Sequence, residues 1–136
     1  MIQIIHGKKG SGKTKRILDL ANQTVKEAKG DVVFVDDDNR YMFDLKHEVR
    51  FVNAGEYCVE SPEMFFGFLC GMLAQNFDVS HIFIDAFMKL MRVPAEQTET
   101  FFKQLAAMSE KRNVNFVLSV SVDDAEAPDF MRQYFI

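Results

Sequence analysis

Short apolar runs alternate with longer stretches of helical periodicity along this chain. The first run, Ile2–Ile5, is short and mostly apolar, which is typical of a buried strand. From Lys13 onward, apolar residues recur at the three- and four-residue spacing of an amphipathic helix, and Gly30 is placed to end it. The β-branched run Val32–Val35 then predicts a second buried strand.

The rest of the chain repeats this alternation. Ser61 followed by Pro62 is typical of a helix start, and the segment from Met64 to Phe77 is apolar nearly all round, which predicts a heavily buried helix. Further elements are predicted as an edge strand at Val49–Val52, a strand at His81–Asp85, a helix at about Ala95–Arg112, a strand at Asn115–Ser121 and a short helix within Pro128–Phe135.

Strands that alternate with helices indicate an α/β fold. Because the alternation continues along the whole chain, we expect a three-layer sandwich with a mostly parallel sheet and helices on both faces. A chain of 136 residues fits one domain, so residues 1–136 are predicted to form a single domain.

Charge and composition exclude several classes of partner. Apolar residues make up 48% of the chain and charged residues 26%, which favours a folded globular protein. The net charge of -4 argues against broad capture of nucleic acid or of an anionic membrane surface. No apolar stretch approaches the about 20 residues that a membrane span needs. We expect neither nucleic acid nor membrane as a partner.

The two cysteines, Cys58 and Cys70, lack the spacing of a zinc or redox site. The N-terminal apolar run is too short for a secretory leader and passes directly into a glycine-rich loop. These features predict a cytoplasmic protein.

The glycine-rich loop carries the most specific motif in the sequence. It matches the pattern G-x-x-x-x-G-K-[ST] and lies between a predicted strand and a predicted helix, as that motif requires. Its residues are Gly7, Lys8, Lys9, Gly10, Ser11, Gly12, Lys13 and Thr14. We therefore predict that this segment binds the phosphates of a nucleoside triphosphate and that residues 1–136 form a single P-loop nucleotide-binding domain.

The residue types in the loop suit that chemistry. Glycines allow backbone amides to turn inward around phosphate oxygens, and the start of a helix adds its positive dipole end. Lys13 would place an ammonium group at the β- and γ-phosphates, whereas the Thr14 hydroxyl would coordinate Mg²⁺.

Together with the strand His81–Asp85, the loop resembles the Walker A and Walker B pair of P-loop NTPases. The resemblance implies that Asp85 holds the magnesium ion, that Lys13 and Asp85 are the catalytic residues, and that ATP and Mg²⁺ are the cofactors. Asp85 is also placed to cap the following helix. A further strand after the second motif is similar to the RecA-like branch and to thymidine kinases, in which that strand lies between the two motif strands. By this analogy Ser119 or Ser121 would sense the γ-phosphate.

One position departs from the RecA-like pattern. That branch usually has a glutamate directly after the aspartate to polarise the attacking water, and Ala86 stands there in this chain. Slow or absent hydrolysis is therefore expected. The sequence does not choose among the possible substitutes, which are Glu56, Glu60, Glu96 and Asp123. No N-K-x-D pattern for guanine is present, which favours adenine.

The run Asp36-Asp37-Asp38-Asn39-Arg40 follows the second strand, at the edge where ligands of open α/β sheets bind. In small-molecule kinases a carboxylate here can accept the proton of a substrate hydroxyl. The alternative interpretation, a solvated acidic turn, is the more common one for such a run.

Three functions remain open from the sequence. The first is an ATP-binding protein with weak or partner-dependent ATPase activity. The alternatives are a non-hydrolysing nucleotide-dependent switch or adaptor and a small-molecule phosphotransferase. A homo-oligomer or a protein partner could complete the site with an arginine, for which Arg92, Arg112 and Arg132 are candidates by residue type.

Overall fold

The computed structural model describes residues 1–136, which form a five-stranded sheet flanked by helices. The strands are β1 (Ile2–Gly7), β2 (Asp31–Asp36), β3 (Arg50–Asn53), β4 (Val79–Ile84) and β5 (Asn115–Ser121). The α-helices are α1 (Lys13–Glu27), α2 (Pro62–Gln75), α3 (Phe87–Met91), α4 (Glu99–Arg112) and α5 (Asp129–Arg132). Three short 3₁₀ helices occupy Met42–Asp44, Ala54–Tyr57 and Ala95–Thr98.

All five strands are parallel, in the order β1-β5-β4-β2-β3. The last strand, β5, therefore lies between β1 and β4, which is the arrangement that the resemblance to the RecA-like branch implies. Since the strands are parallel, their carboxyl ends share one edge of the sheet. The loop that follows β1 and the carboxylates that end β2 and follow β4 therefore meet at that edge.

The three-layer α/β sandwich expected from the sequence is confirmed. Ile17, Leu18 and Ala21 of α1 pack on one face of the sheet, against alternate strand residues such as Phe34 and Phe83. The opposite face is covered by α2, α3, α4 and α5, whose buried side chains form the larger of the two cores. Each strand contributes apolar residues to both cores by alternation, and for this reason consecutive strand residues such as Val32–Val35 are apolar.

The predicted start of α2 is confirmed in detail. Ser61 has extended backbone and its Oγ accepts a hydrogen bond of 3.1 Å from the Met64 amide, while Pro62 is the first helical residue. The predicted end of α1 at Gly30 is wrong. That helix ends at Glu27, and Gly30 instead lies where the chain passes close to the start of β4.

Replacing Gly30 with alanine is expected to destabilise the protein by roughly 1–3 kcal/mol, as overpacking does. A Cβ at Gly30 would lie 2.3 Å from the Asp78 carbonyl oxygen and 2.8 Å from the Ser80 Cβ, so the backbone must move. Gly67→Ala is the matched control, because a Cβ at this exposed helical position meets nothing within 4 Å. It should stabilise the protein by about 0.5–1 kcal/mol. Urea unfolding measures both, and a neutral Gly30→Ala would contradict the contact.

The expectation that α2 is buried nearly all round is wrong, because the exposed residues include Gly67 and Gly71 in the middle of the helix as well as residues near its ends. Met64 is exposed, and Phe77, which lies beyond the end of the helix at Gln75, is 87% exposed. The helix predicted at Ala95–Arg112 is divided, since a 3₁₀ turn precedes α4. No helix combines the length and hydropathy required to cross a bilayer.

Candidate functional site

The loop between β1 and α1 is shaped by three glycines. Gly7, Gly10 and Gly12 have φ angles of 149°, 83° and 87°, a region that side chains with a Cβ rarely adopt. Gly7 also faces Ser11 closely, because a Cβ at Gly7 would lie 2.6 Å from the Ser11 Oγ. The glycine spacing read from the sequence therefore corresponds to a real requirement of this turn.

Several amides of this loop have no partner within the protein. The Ser11 amide donates to the Lys8 carbonyl at 3.2 Å, but the amides of Lys9, Gly10 and Gly12 donate to no protein acceptor. The first amides of α1 are also without intrahelical partners, as at every helix start. Unpaired amides clustered at the positive end of a helix dipole are suited to anionic oxygen atoms.

The Lys13 side chain folds back over the loop. Its Nζ donates to the Lys8 carbonyl at 2.7 Å and to the Ser11 Oγ at 3.3 Å. Partial burial lowers the pKa of Lys13, and the negative charge of Asp85 acts in the opposite direction. A cation is thus held directly beside the unpaired amides.

Asp85 follows β4 and is 4% exposed. The Ser119 hydroxyl of the neighbouring strand β5 donates to its Oδ1, and the Ala86 amide donates to the Ser119 Oγ at 3.3 Å. Ser119 therefore fixes the position of the Asp85 carboxylate. The role of Asp85 as a helix cap is not found, because Ala86, with φ of 57°, is the residue before α3 and no side chain caps that helix.

Asp36 ends β2, the other neighbour of β4, and is 2% exposed. Its Oδ1 accepts a hydrogen bond of 2.8 Å from the Asp37 amide, whereas its buried Oδ2 has no partner. Desolvation raises the pKa of Asp36 to about 8, and the nearby Asp37 side chain and the charge of Asp85 act in the same direction. Asp36 is thus an unusually basic carboxylate.

These groups line one cavity of about 490 Å³ at the carboxyl edge of the sheet. From the sequence-predicted residues it brings together Lys9, Gly10, Gly12, Lys13, Thr14, Asp36, Asp37, Asp38, Arg40, Asp85, Ala86, Ser119 and Ser121. Gly7, Lys8 and Ser11 shape the loop without lining the cavity. The candidate triphosphate and magnesium residues therefore face the same space.

Other candidates from the sequence lie elsewhere. The cavity lining includes none of Glu56, Glu60, Glu96, Asp123, Arg92, Arg112 and Arg132. Arg92 instead pairs with Glu60 at 3.7 Å, and Asp123 pairs with Lys8 at 3.5 Å. Within this chain, Arg40 is the arginine that reaches the cavity.

Sequence reasoning missed three lining residues, Tyr41, Met88 and Lys89. Tyr41 directly follows the run Asp36–Arg40, so its place in the cavity could have been predicted from its position in the sequence. Met88 and Lys89 belong to the short helix α3, whose direction depends on the packing of Phe87 and Leu90. Sequence reasoning also did not consider Asp36 as the substitute for the glutamate that Ala86 replaces. The feature that could have indicated this role is the position of Asp36 at the end of β2, the strand that pairs with β4.

The donor set fits a hard divalent cation beside a polyphosphate. Thr14 and Asp85 supply a hydroxyl and a carboxylate to the same cavity, and oxygen ligands are those that Mg²⁺ prefers. The buried Oδ2 of Asp36 has no partner, so the protein leaves one carboxyl oxygen at this edge unsatisfied. Chemically, the site can hold a polyanion through amides and ammonium, with a cation on the opposite side.

Comparison with solved structures supports the fold. The crystal structure of the flagellar accessory protein FlaH from Methanocaldococcus jannaschii is similar, with a TM-score of 0.55 at 14% sequence identity. The match covers 97% of this chain and 65% of the FlaH chain, so this chain spans just under two thirds of that protein's length. No protein-family model and no curated protein matches the sequence. The chain has an α/β, RecA-like fold with an all-parallel sheet.

Proposed function

We propose that the chain binds ATP with Mg²⁺ in the cavity beside β1 and acts as a weak or partner-dependent ATPase. The observation that carries this proposal is the cluster of unpaired amides at Lys9, Gly10 and Gly12, with the Lys13 ammonium held over the same loop. That combination of donors and positive charge is suited to the β- and γ-phosphates.

The magnesium ion would be held by Thr14 and Asp85 and would neutralise charge on the phosphate oxygens. Ser119 would act through Asp85, because its hydroxyl fixes the carboxylate that faces the ion. Ser121 lies opposite Gly7 in the β1 and β5 register and is exposed in the cavity, so it is the serine with a free hydroxyl for the γ-phosphate.

Hydrolysis in this proposal depends on Asp36. Ala86 has no carboxylate, and Asp36 is the buried carboxylate on the neighbouring strand that faces the same cavity. A carboxylate with a raised pKa is a stronger base and can accept the proton of an attacking hydroxyl group. Its position would allow water activation without the usual glutamate.

The phosphotransferase alternative is favoured by a specific observation. Asp36, Asp37, Asp38 and Arg40 all line the cavity together with the phosphate loop, so an acceptor hydroxyl could approach from their side. Water and an acceptor would meet the same base, and analysis of the products formed from ATP distinguishes phosphate release from transfer. A non-hydrolysing switch would give neither product while still binding ATP.

Thermal unfolding with ATP, GTP and ADP, each with and without Mg²⁺, tests the proposal. We expect ATP with Mg²⁺ to raise the midpoint most, because a ligand that binds only the native state stabilises it. Asp85→Asn should remove the Mg²⁺-dependent part of the shift, whereas Asp44→Asn, an exposed residue outside the cavity, should leave it intact. Absence of a shift with every nucleotide at saturating concentration would contradict the proposed function.

A further inference from the structure

We propose that Asp36, Asp37 and Asp38 form a binding site for a hard divalent cation, separate from the one assigned to Thr14 and Asp85. The three carboxylates follow one another at the end of β2 and line the central cavity. Their chemistry selects the ligand class, since carboxylate oxygens bind Mg²⁺, Mn²⁺ and Ca²⁺.

The spacing of the three carboxylates suits a single ion. One oxygen from each residue lies within 4.8 Å of the other two. Two ligands of one ion can be separated by at most twice the metal–oxygen distance, which is about 4.2 Å for Mg²⁺ and about 5 Å for Ca²⁺. The cluster therefore reaches coordination distance with little or no movement.

A second observation points to a missing ligand at this place. The Oδ2 of Asp36 is buried and has no hydrogen-bond partner, and the residue is 2% exposed. Buried polar atoms in proteins are nearly always paired, because an unpaired one loses its hydration without compensation. A cation bound by the neighbouring carboxylates would satisfy this oxygen.

The segment that carries the cluster is held by the end of β3 and the turn that follows it. Gly55 packs against the backbone of Asp37, so closely that a Cβ there would lie 2.4 Å from the Asp37 carbonyl oxygen. The Asn53 side chain donates to the Asn39 Oδ1 at 3.2 Å. A fixed segment loses little freedom when the cation binds.

When no cation is bound, the positive group paired with the cluster is the Arg40 guanidinium. Its Nη2 lies 3.1 Å from the Asp38 Oδ2, and its side chain is 60% exposed. An exposed arginine contributes little as an ion-pair partner and competes with a divalent cation for the same oxygen. Removing this arginine should therefore strengthen cation binding.

A cation at the Asp36 end would lie across the cavity from the phosphate loop. There it could hold an attacking water or an acceptor hydroxyl, as in phosphoryl-transfer sites that use two metal ions. With the cation bound, Asp36 would be a ligand, and the cation would activate the water in place of the free Asp36 carboxylate. This role rests on the proposed function, but the binding itself does not, so it is tested without nucleotide.

The test is a titration of the nucleotide-free chain with Mn²⁺, in which electron paramagnetic resonance measures the free ion. We expect saturable binding that weakens about tenfold or more in Asp37→Asn/Asp38→Asn, since each ligand contributes to affinity. The control Glu63→Gln/Glu110→Gln removes the same charge from exposed helix positions and should change the affinity less than about twofold. Lys13→Ala should retain the site even if nucleotide binding is lost.

Two further variants separate this site from its neighbour. Arg40→Ala should tighten Mn²⁺ binding, a gain that misfolding cannot produce, and Asp85→Asn should leave it in place. The proposal is overturned if no saturable binding is found, if the double variant at Asp37 and Asp38 binds like the control, or if Asp85→Asn removes the binding. Weaker binding in Arg40→Ala would equally contradict it.

Discussion

Lys13→Ala is expected to abolish most of the thermal stabilisation that ATP with Mg²⁺ gives to the protein. A ligand at 100 times its dissociation constant stabilises the native state by about 2.7 kcal/mol. If the substitution weakens binding about a hundredfold, the same concentration gives only about 0.4 kcal/mol. The physical reason is that the Lys13 ammonium lies over the loop, where it donates to the Lys8 carbonyl beside the unpaired amides.

Lys15→Ala is the matched control for this experiment. Lys15 also belongs to the first turn of α1, but it is exposed, pairs with Asp19 at 2.9 Å and does not line the cavity. It should keep at least most of the ATP-dependent shift. The proposal fails if both variants lose the shift equally, because the effect would then come from the general positive charge of the loop. It also fails if Lys13→Ala keeps a full shift.

The sequence was sufficient to predict most elements of the fold. The strands contain short apolar runs because both faces of the sheet are covered, and the start of α2 is encoded locally by Ser61 and Pro62. Strand order was accessible only through the resemblance to the RecA-like branch. An apolar pattern predicts that a strand is buried, but it does not determine which strand lies beside it.

The errors have a common physical origin in contacts between distant parts of the chain. Gly30 reads as a helix end, but its small size is required by the approach of Asp78 and Ser80. Phe77 reads as the end of a buried helix, yet α2 stops at Gln75 and leaves that side chain exposed. Local periodicity contains neither piece of information.

The phosphate-binding loop of the candidate site was predictable from the sequence, whereas the side formed by Asp36, Asp85 and Ser119 was predictable only in part. The loop motif is contiguous, so its eight residues could be read directly from the sequence. The roles of Asp36 and Ser119 depend instead on which strands are neighbours, since Ser119 touches Asp85 from β5 and Asp36 approaches it from β2. An acidic turn and an interior serine are ordinary features until the strand order brings them to Asp85.

Asp36→Asn is expected to change how the stability of the protein depends on pH. Burial raises the pKa of Asp36 from 3.8 to about 8. The folded state therefore binds this proton more tightly than the unfolded state, and the contribution of the neutral carboxyl is fully present below pH 3.8. As pH rises towards 8, that contribution is lost, by up to about 1.4 kcal/mol per pH unit. The asparagine variant has no such proton.

Urea unfolding of both proteins between pH 5 and pH 9, in EDTA to exclude divalent cations, measures this difference. The free energy of unfolding of the variant, minus that of the wild type, should increase as pH rises and should level off above about pH 8. An unpaired amide in place of Oδ2 would add a cost of about 1–3 kcal/mol, but that cost does not depend on pH. Asp129→Asn, at an exposed position of α5, should follow the wild type. If instead the wild-type and Asp36→Asn curves run parallel over this range, the carboxyl ionises normally and its proposed strength as a base is wrong.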